Sequence, residues 1–520
     1  MKILLIFPPS TIYGADPASP AIIPPLGLAY LAGYLRKHGY SDVHILDAMF
    51  PKDRIIRTEN TARYGLTDEE LFKAISEYNA DIVGVSCMYT VHSSDAHNVA
   101  RIVKEINSNI PVVFGGAHSS TFPELVLKDK NVDIVAYSEG EETLLDIVRT
   151  VEQKGNYRNI KQIYYRMGDV VMQNPNRELI DDLDKIPFPA RDLLDMNLYL
   201  DDKVPQYGMR APNTTMITSR GCPQNCTYCT IQQVWGTKKW RAHSPQNVVD
   251  EMEYLHKEYG IQELAWLDDA AGTRKKRIIE ICDEIIRRKL DIRWTTPNGI
   301  AHWYLDEKTL DKMKAAGCYR ITFGIESGNI ETRKSFGKPF KLEQATRMIK
   351  YANKIGMWTI CTFIFGFPNE DKNAVEDTIK YATTCGTDMA VFYLLCPHPG
   401  TEIYEEFKRE GLLNYDHYFE TPLNFSENFE KIRLWQGENT NHFTGKELNG
   451  IVAEAYRRFF IVRLKNSLNP LRTIRKIHSV EDFWYTFKLG KIAMQLMIRA
   501  LLKKKTLSIE LFWEKEKGNK

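Results

Sequence analysis

Gly221-Cys222-Pro223-Gln224-Asn225-Cys226-Thr227-Tyr228-Cys229 follows a short strand-like stretch, Thr214–Thr218. Gaps of three and two residues let one loop turn three thiolates toward a common point. Thiolates are soft ligands suited to iron–sulfur sites. Three local ligands would leave one iron of a cubane open, as a catalytic metal requires. Two plainer readings use the same residues: chance clustering, or zinc, which ordinarily takes a fourth Cys or His from close by. The nearest histidine, His243, lies fourteen residues past Cys229.

Around this loop, residues 208–425 alternate strands with helices. The strands are Thr214–Thr218, Glu263–Leu267, Arg293–Thr296, Arg320–Gly324, Trp358–Phe365 and Met389–Leu395, and Pro245–Tyr259, Lys275–Arg288 and Lys341–Ile355 are among the helices. Six βα units in sequence suit a partial (β/α)6 barrel, although periodicity alone also fits an open sheet. Residues 1–155 show a similar rhythm, with strands Lys2–Phe7, Val43–Asp47, Asp81–Ser86, Val112–Phe114 and Asp133–Tyr137. Helices Leu26–His38, Asp68–Tyr78 and Asp95–Asn107 separate them, which predicts a doubly wound parallel sheet. Between the blocks, residues 156–207 hold a hairpin (Gln162–Gln173) and Ile186-Pro187-Phe188-Pro189, and read as a linker. Residues 426–520 are helical, aromatic and basic. The fold class is therefore α/β with a C-terminal helical segment.

The chain has 520 residues, 43% hydrophobic and 26% charged, with a formal net charge of +2. Residues 451–520 hold 16 Lys+Arg against 6 Asp+Glu, so the tail is basic and the rest acidic. Nine scattered cysteines, three of them crowded into the loop, suit a metal site in a reducing, cytoplasmic compartment rather than a disulfide framework. The first apolar run meets Pro8-Pro9 too early for a signal peptide and reads as a buried strand. No apolar run is long enough to span a membrane. Near-neutral charge and the lack of a binding module argue against nucleic acid.

The cysteine loop resembles the CxxxCxxC signature of the radical S-adenosylmethionine superfamily, including the aromatic residue, Tyr228, before the third cysteine. The resemblance implies a [4Fe-4S] cluster on Cys222, Cys226 and Cys229. Its open iron would hold S-adenosylmethionine, and reductive cleavage there would give a 5′-deoxyadenosyl radical. Asp268 and Asp269 fall where the methionine amino group is contacted, although the usual Gly-Gly-Glu is absent. Gly324-Ile325-Glu326-Ser327-Gly328 resembles the ribose-binding segment, with Glu326 and Ser327 as candidates. Phe365-Gly366-Phe367-Pro368 would bring the Gly366 backbone to the adenine.

The first block resembles the cobalamin-binding, Rossmann-like domain of the B12-dependent branch. Ser86-Cys87-Met88 resembles its Ser-x-Leu segment. Gly115-Gly116-Ala117-His118 resembles the Gly-Gly stretch beside the corrin's nucleotide tail, and Glu139-Gly140-Glu141 ends the fifth strand as often seen there. The cobalt-ligating Asp-x-His-x-x-Gly is missing: the corresponding loop is Pro8–Gly14, which implies a His-off site. An empty flavodoxin-like domain would show the same pattern. His118 suits either cofactor contact or a solvent-exposed helix entry.

Cys396-Pro397-His398-Pro399-Gly400-Thr401 resembles a stretch lining the substrate cavity, making Cys396 and His398 candidates for substrate contact or proton transfer. A proline-shaped turn accounts for them equally. In the tail, Tyr456–Lys465 and Lys491–Lys505 mix basic and bulky apolar residues, as in a helix lying on a membrane, covering a lipophilic pocket, or packed on the barrel. The whole layout resembles the family of anaerobic magnesium-protoporphyrin ester cyclases and cobalamin-dependent methylases. It implies methylation of an unactivated carbon in a small, lipophilic substrate, with flavodoxin or ferredoxin as reductant. Oxidative cyclisation or hydroxylation is the enzymatic rival, and a non-catalytic cobalamin or Fe–S sensor the rival of another class.

Overall fold

The computed structural model describes residues 1–13, 23–51, 54–58, 61–200, 208–338, 340–413, 438–467, 474–477 and 479–502. Side chains are described to residue 464 in the penultimate helix and to residue 491 in the last. Its described residues form two compact units, Met1–Tyr199 with Thr230–Thr237, and Leu200–Cys229 with the described residues of 238–413 and 438–502.

In the first unit, β1 (Ile3–Phe7), β2 (Val43–Asp47), β3 (Ile82–Ser86), β4 (Val112–Gly115) and β5 (Ile134–Ala136) lie parallel in the order β2–β1–β3–β4–β5. Runs such as Ile3-Leu4-Leu5-Ile6 are wholly buried, because helices cover both faces of a doubly wound sheet. Helix Asp68–Tyr78 starts at a capping box in which Thr67 and Glu70 each satisfy the other's backbone amide. The strand order reverses between β1 and β3. Adjacent connections there leave on opposite faces and open a crevice at the carboxyl ends of the strands.

The hairpin expected within a linker belongs to this sheet instead. Its strands β6 (Ile163–Met167) and β7 (Val170–Gln173) extend the sheet antiparallel from β5. The Asn174 amide fastens its base, donating to Tyr157 O and Ile160 O, both at 2.7 Å. Alternation of strand with helix marks only parallel units, so an antiparallel addition reads as a break in the pattern. A small three-stranded sheet of Ser10–Tyr13, Thr61–Tyr64 and Ile55–Arg57 was also not foreseen, its strands being too short to carry a period.

In the second unit, β8 (Asn213–Met216), β9 (Glu263–Trp266), β10 (Arg293–Thr296), β11 (Cys318–Glu326), β12 (Trp358–Phe365) and β13 (Met389–Leu394) form an all-parallel sheet in chain order. That is the order of a partial (β/α)6 barrel. One side chain in two faces the helices: Leu264, Trp266, Trp294, Phe323, Phe363 and Phe392 are buried there. Trp266 stacks on Trp294 with centroids 4.1 Å apart.

The C-terminal helices complete this unit. Helix Gly445–Ser467 lies against β13, and Tyr456 Oη accepts from Phe392 N at 3.1 Å. From helix Val480–Leu502, Tyr485 Oη accepts from the buried Arg320 at 2.9 Å. Between them, Lys476 is buried in an ion pair with Asp388 and donates to Asn353 Oδ1 and Met357 O, both at 2.8 Å. Among the described residues, no helix is long and apolar enough to cross a membrane. The side chains of 492–505, expected to form an amphipathic surface, lie outside the described set.

Candidate active site and cofactor crevice

The cysteine loop leaves the end of β8 and is anchored before its first ligand. Buried Asp268 accepts from Thr218 N (2.7 Å), Thr218 Oγ1 (2.6 Å) and Ser219 Oγ (2.5 Å). Buried Arg277 donates to Thr218 O (2.7 Å) and His243 O (2.8 Å). Exposed Asp269 accepts from Gly221 N at 2.9 Å. Gly221 itself has φ +84, and a Cβ there would meet Lys239 O at 2.3 Å, so only glycine fits before Cys222.

The far side of the loop docks on other strand ends. Thr227 N donates to Phe336 O at 3.3 Å, and Thr227 O accepts from Ile403 N at 3.0 Å. The Tyr228 ring meets Phe336 and Phe367 edge-on at 5.8 and 6.1 Å. Burial raises the Cys222 thiol and pushes Cys226 up to about 12, so these thiols stay protonated at neutral pH until a metal displaces the proton. Among the described residues, no three His, Cys, Asp or Glu side chains stand at metal-holding separations, the loop thiols included. None of the nine cysteines forms a disulfide.

At the end of β11, Glu326 has φ +64 and pairs with Lys338, while Thr362 Oγ1 donates to its other oxygen at 3.3 Å. Lys338 also donates to Gly324 O at 3.1 Å. Burial opposes its charge, yet Glu326 and then Cys226 hold its pKa above the ordinary lysine value. A half-buried cation is thus paired with the expected ribose carboxylate within electrostatic reach of the cysteine loop, and nothing in its sequence context announced it. At the end of β12, Gly366 N donates to buried Glu370 at 2.8 Å, and burial raises that carboxyl to about 7.

Several sequence candidates also take part in scaffold contacts. Asp268 spends both oxygens on Thr218 and Ser219. Ser327 is wholly buried, its hydroxyl bonded to Thr378 Oγ1 (3.0 Å) and to Asn329 N (3.1 Å). Cys396 and His398 are half-buried beyond β13. The His398 carbonyl accepts from Thr401 N at 3.1 Å, beside the cap of helix Glu402–Arg409.

In the first unit, Ser86 ends β3 and Gly115 ends β4, joined through Cys87 N donating to Gly115 O at 2.7 Å. Gly116 has φ +107, and a Cβ would meet Cys87 O at 2.8 Å. His118 is buried rather than solvent-exposed: its Nδ1 lies 3.1 Å from Thr90 Oγ1, and burial lowers its pKa to about 3. The Glu139 carboxylate is buried and accepts from Ile180 N at 2.8 Å, which ties it to residue 180. The switch-point crevice is lined by Phe7, Pro8, Ser10, Ser86, Met88 and His92, among others. Met88 and Tyr89 beside it are 40% and 53% exposed. Exposed large apolar groups over a tight glycine turn fit a flat macrocycle whose tail runs along backbone.

Two family models match the chain: a B12 binding domain over residues 18–148 and the radical SAM superfamily over residues 216–382. The chain is 34% identical over 467 residues to an uncharacterized methyltransferase of Pyrococcus horikoshii, covering 89% of this chain and 93% of that one. It is 31% identical over 480 residues to the cytidylyl-2-hydroxyethylphosphonate methyltransferase of Streptomyces wedmorensis, covering 86% and 89%. A solved radical S-adenosylmethionine methyltransferase, TsrM of Kitasatospora setae, superposes with a TM-score of 0.68 at 17% identity, covering 88% and 89%; at that identity the likeness is one of fold.

Proposed function

This chain belongs to the B12-binding radical S-adenosylmethionine family, and from that premise we propose that it methylates an unactivated carbon of a small molecule. The family's cofactors are a [4Fe-4S] cluster, S-adenosylmethionine and cobalamin. Two relatives above 30% identity over nearly the whole chain are methyltransferases, which favours methyl transfer over cyclisation or sensing. The observation carrying the reading is the gathering of the cysteine loop, Glu326, Lys338 and the Gly366 turn at the carboxyl ends of barrel strands, locked by Tyr228 packing on Phe336 and Phe367.

Within this arrangement Cys222, Cys226 and Cys229 would ligate the cluster. Glu326 would take the ribose hydroxyls, and Lys338 would offer its ammonium to a carboxylate next to the thiolates. The Gly366 turn, held by Glu370, would present backbone to the base. When bound, the cluster supplies an electron to the sulfonium and cobalamin supplies a transferable methyl group. Cys396 and His398 remain candidates for substrate contact at the rim. A flavodoxin or ferredoxin would deliver the electron, and nine cysteines outside any disulfide suit a reducing, cytoplasmic setting. Exposed Phe483, Trp484 and Phe487, in a segment rich in Lys and Arg, support a peripheral contact with anionic lipid.

The test is turnover with the true substrate under anaerobic reduction. A methylase consumes one S-adenosylmethionine as radical source and one as methyl donor. It therefore releases 5′-deoxyadenosine and S-adenosylhomocysteine in near-equal amounts with a methylated product. Product without an added methyl, and no S-adenosylhomocysteine, would instead establish a cyclase or hydroxylase.

A further inference from the structure

The segment that follows helix Ile330–Phe336 is docked on the cysteine loop. Phe336 O accepts from Thr227 N at 3.3 Å, and the Phe336 ring meets Tyr228 edge-on at 5.8 Å. Gly337 ends that helix at φ +79, and a Cβ there would stand 3.0 Å from Asn225 O. Backbone therefore lies on backbone at the two residues that flank Cys226.

Lys338 comes next, and its ammonium is pinned. It pairs with Glu326 and donates to Gly324 O at 3.1 Å. Gly324 leaves room for the pair: a Cβ there would stand 2.8 Å from Lys338 Nζ and 2.7 Å from Glu326 Oε1. Thr362 Oγ1 holds the other Glu326 oxygen at 3.3 Å. The two side chains are only 13% and 8% exposed, so water screens these charges poorly. Burial dominates the rise of the Cys226 thiol, and of the two charges Lys338 opposes that rise more than Glu326 adds to it. The loop therefore faces a net positive pair. Adding one electron to a cluster on three thiolates adds one negative charge, which a fixed cation favours and an anion opposes.

We propose that the Lys338–Glu326 pair sets the reduction potential of the cluster, the ammonium favouring the reduced form and the carboxylate holding that effect in check. This rests on the cluster-binding reading of the cysteine loop. The electron comes from the flavodoxin-type or ferredoxin-type reductant and stays on the cluster, with no bond made or broken. The effect is present before S-adenosylmethionine arrives and so is separate from any contact that Lys338 makes with it. The test titrates anaerobically reconstituted full-length protein with a low-potential reductant and mediators, without S-adenosylmethionine, following visible bleaching and the electron paramagnetic resonance of the reduced cluster. Glu326→Gln unmasks the ammonium and should favour reduction about tenfold, a rise of about 59 mV for a one-electron couple. The double variant Lys338→Met with Glu326→Gln strands no charge and should fall below wild type, while Lys338→Arg should keep the wild-type midpoint. A midpoint unmoved in both Glu326→Gln and the double variant, or shifted the same way in both, overturns the proposal and leaves the cluster reading standing. Wild-type protein that takes up no cluster overturns that reading as well.

Discussion

Asp268 separates a ligand-contacting role from a scaffold role, and the hydrogen bonds around it set the size of the effect. Its carboxylate accepts three bonds of 2.5–2.7 Å, from one backbone amide and two hydroxyls, in a fully buried position. Asparagine keeps a single acceptor oxygen and sets an amide donor against groups that are themselves donating. One charge-assisted bond lost is worth about 1.5–3 kcal/mol, and one mispaired buried donor adds about 1–3 kcal/mol. Asp268→Asn should therefore cost the second unit about 3–5 kcal/mol, and the damage should begin at Thr218 and Ser219, just ahead of Cys222. Denaturant unfolding of cluster-free protein should show the loss of stability, and anaerobic reconstitution should yield fewer irons per chain. Asp269→Asn keeps an acceptor oxygen for Gly221 N at an exposed position and should cost about 1 kcal/mol or less. If Asp268→Asn kept full stability and iron but bound S-adenosylmethionine tenfold more weakly, Asp268 would be a ligand contact and the scaffold account would be wrong.

Lys338→Met strands Glu326 without its cation in a buried site, and should destabilise by about 3–5 kcal/mol; adding Glu326→Gln should recover much of that, as a double-mutant cycle of unfolding free energies would show. Glu370 has a carboxyl raised from 4.5 to about 7 by burial, so the stability it contributes is present below pH 4.5 and is lost as pH rises through 7. Glu370→Gln should therefore gain on wild type between pH 5 and 8, by up to about 3 kcal/mol, in urea midpoints measured across that range. Gly116→Ala forces a side chain into φ +107 and against Cys87 O; a loss of about 1–3 kcal/mol and weaker cobalamin uptake, read by unfolding and by equilibrium dialysis, are expected.

The parallel strands of both units were legible because buried Ile, Val and Phe runs between helices admit few other readings, and most ends fall within a residue or two. The β6–β7 hairpin escaped because antiparallel pairing does not share that rhythm. The cysteine loop was legible because its ligands are local. Lys338, Arg277 and Glu370 were not, since each acts across 12, 59 and 4 positions through groups that only the folded chain brings together. Asp268 and Asp269 are adjacent in sequence, and only burial separates a fully bonded carboxylate from an exposed one.

A six-stranded partial barrel leaves two raw edges, and β13 is one of them. Tyr456 answers the amide of Phe392 on that edge, and helix Gly445–Ser467 lies along it. An uncovered strand of this composition, Met389-Ala390-Val391-Phe392-Tyr393-Leu394, is a template for pairing with another chain. The tail is therefore also a guard against self-association: a protein cut back to the sheet and its crossover helices would present that template to every neighbour, and would be recovered as aggregate whatever the state of its cofactors.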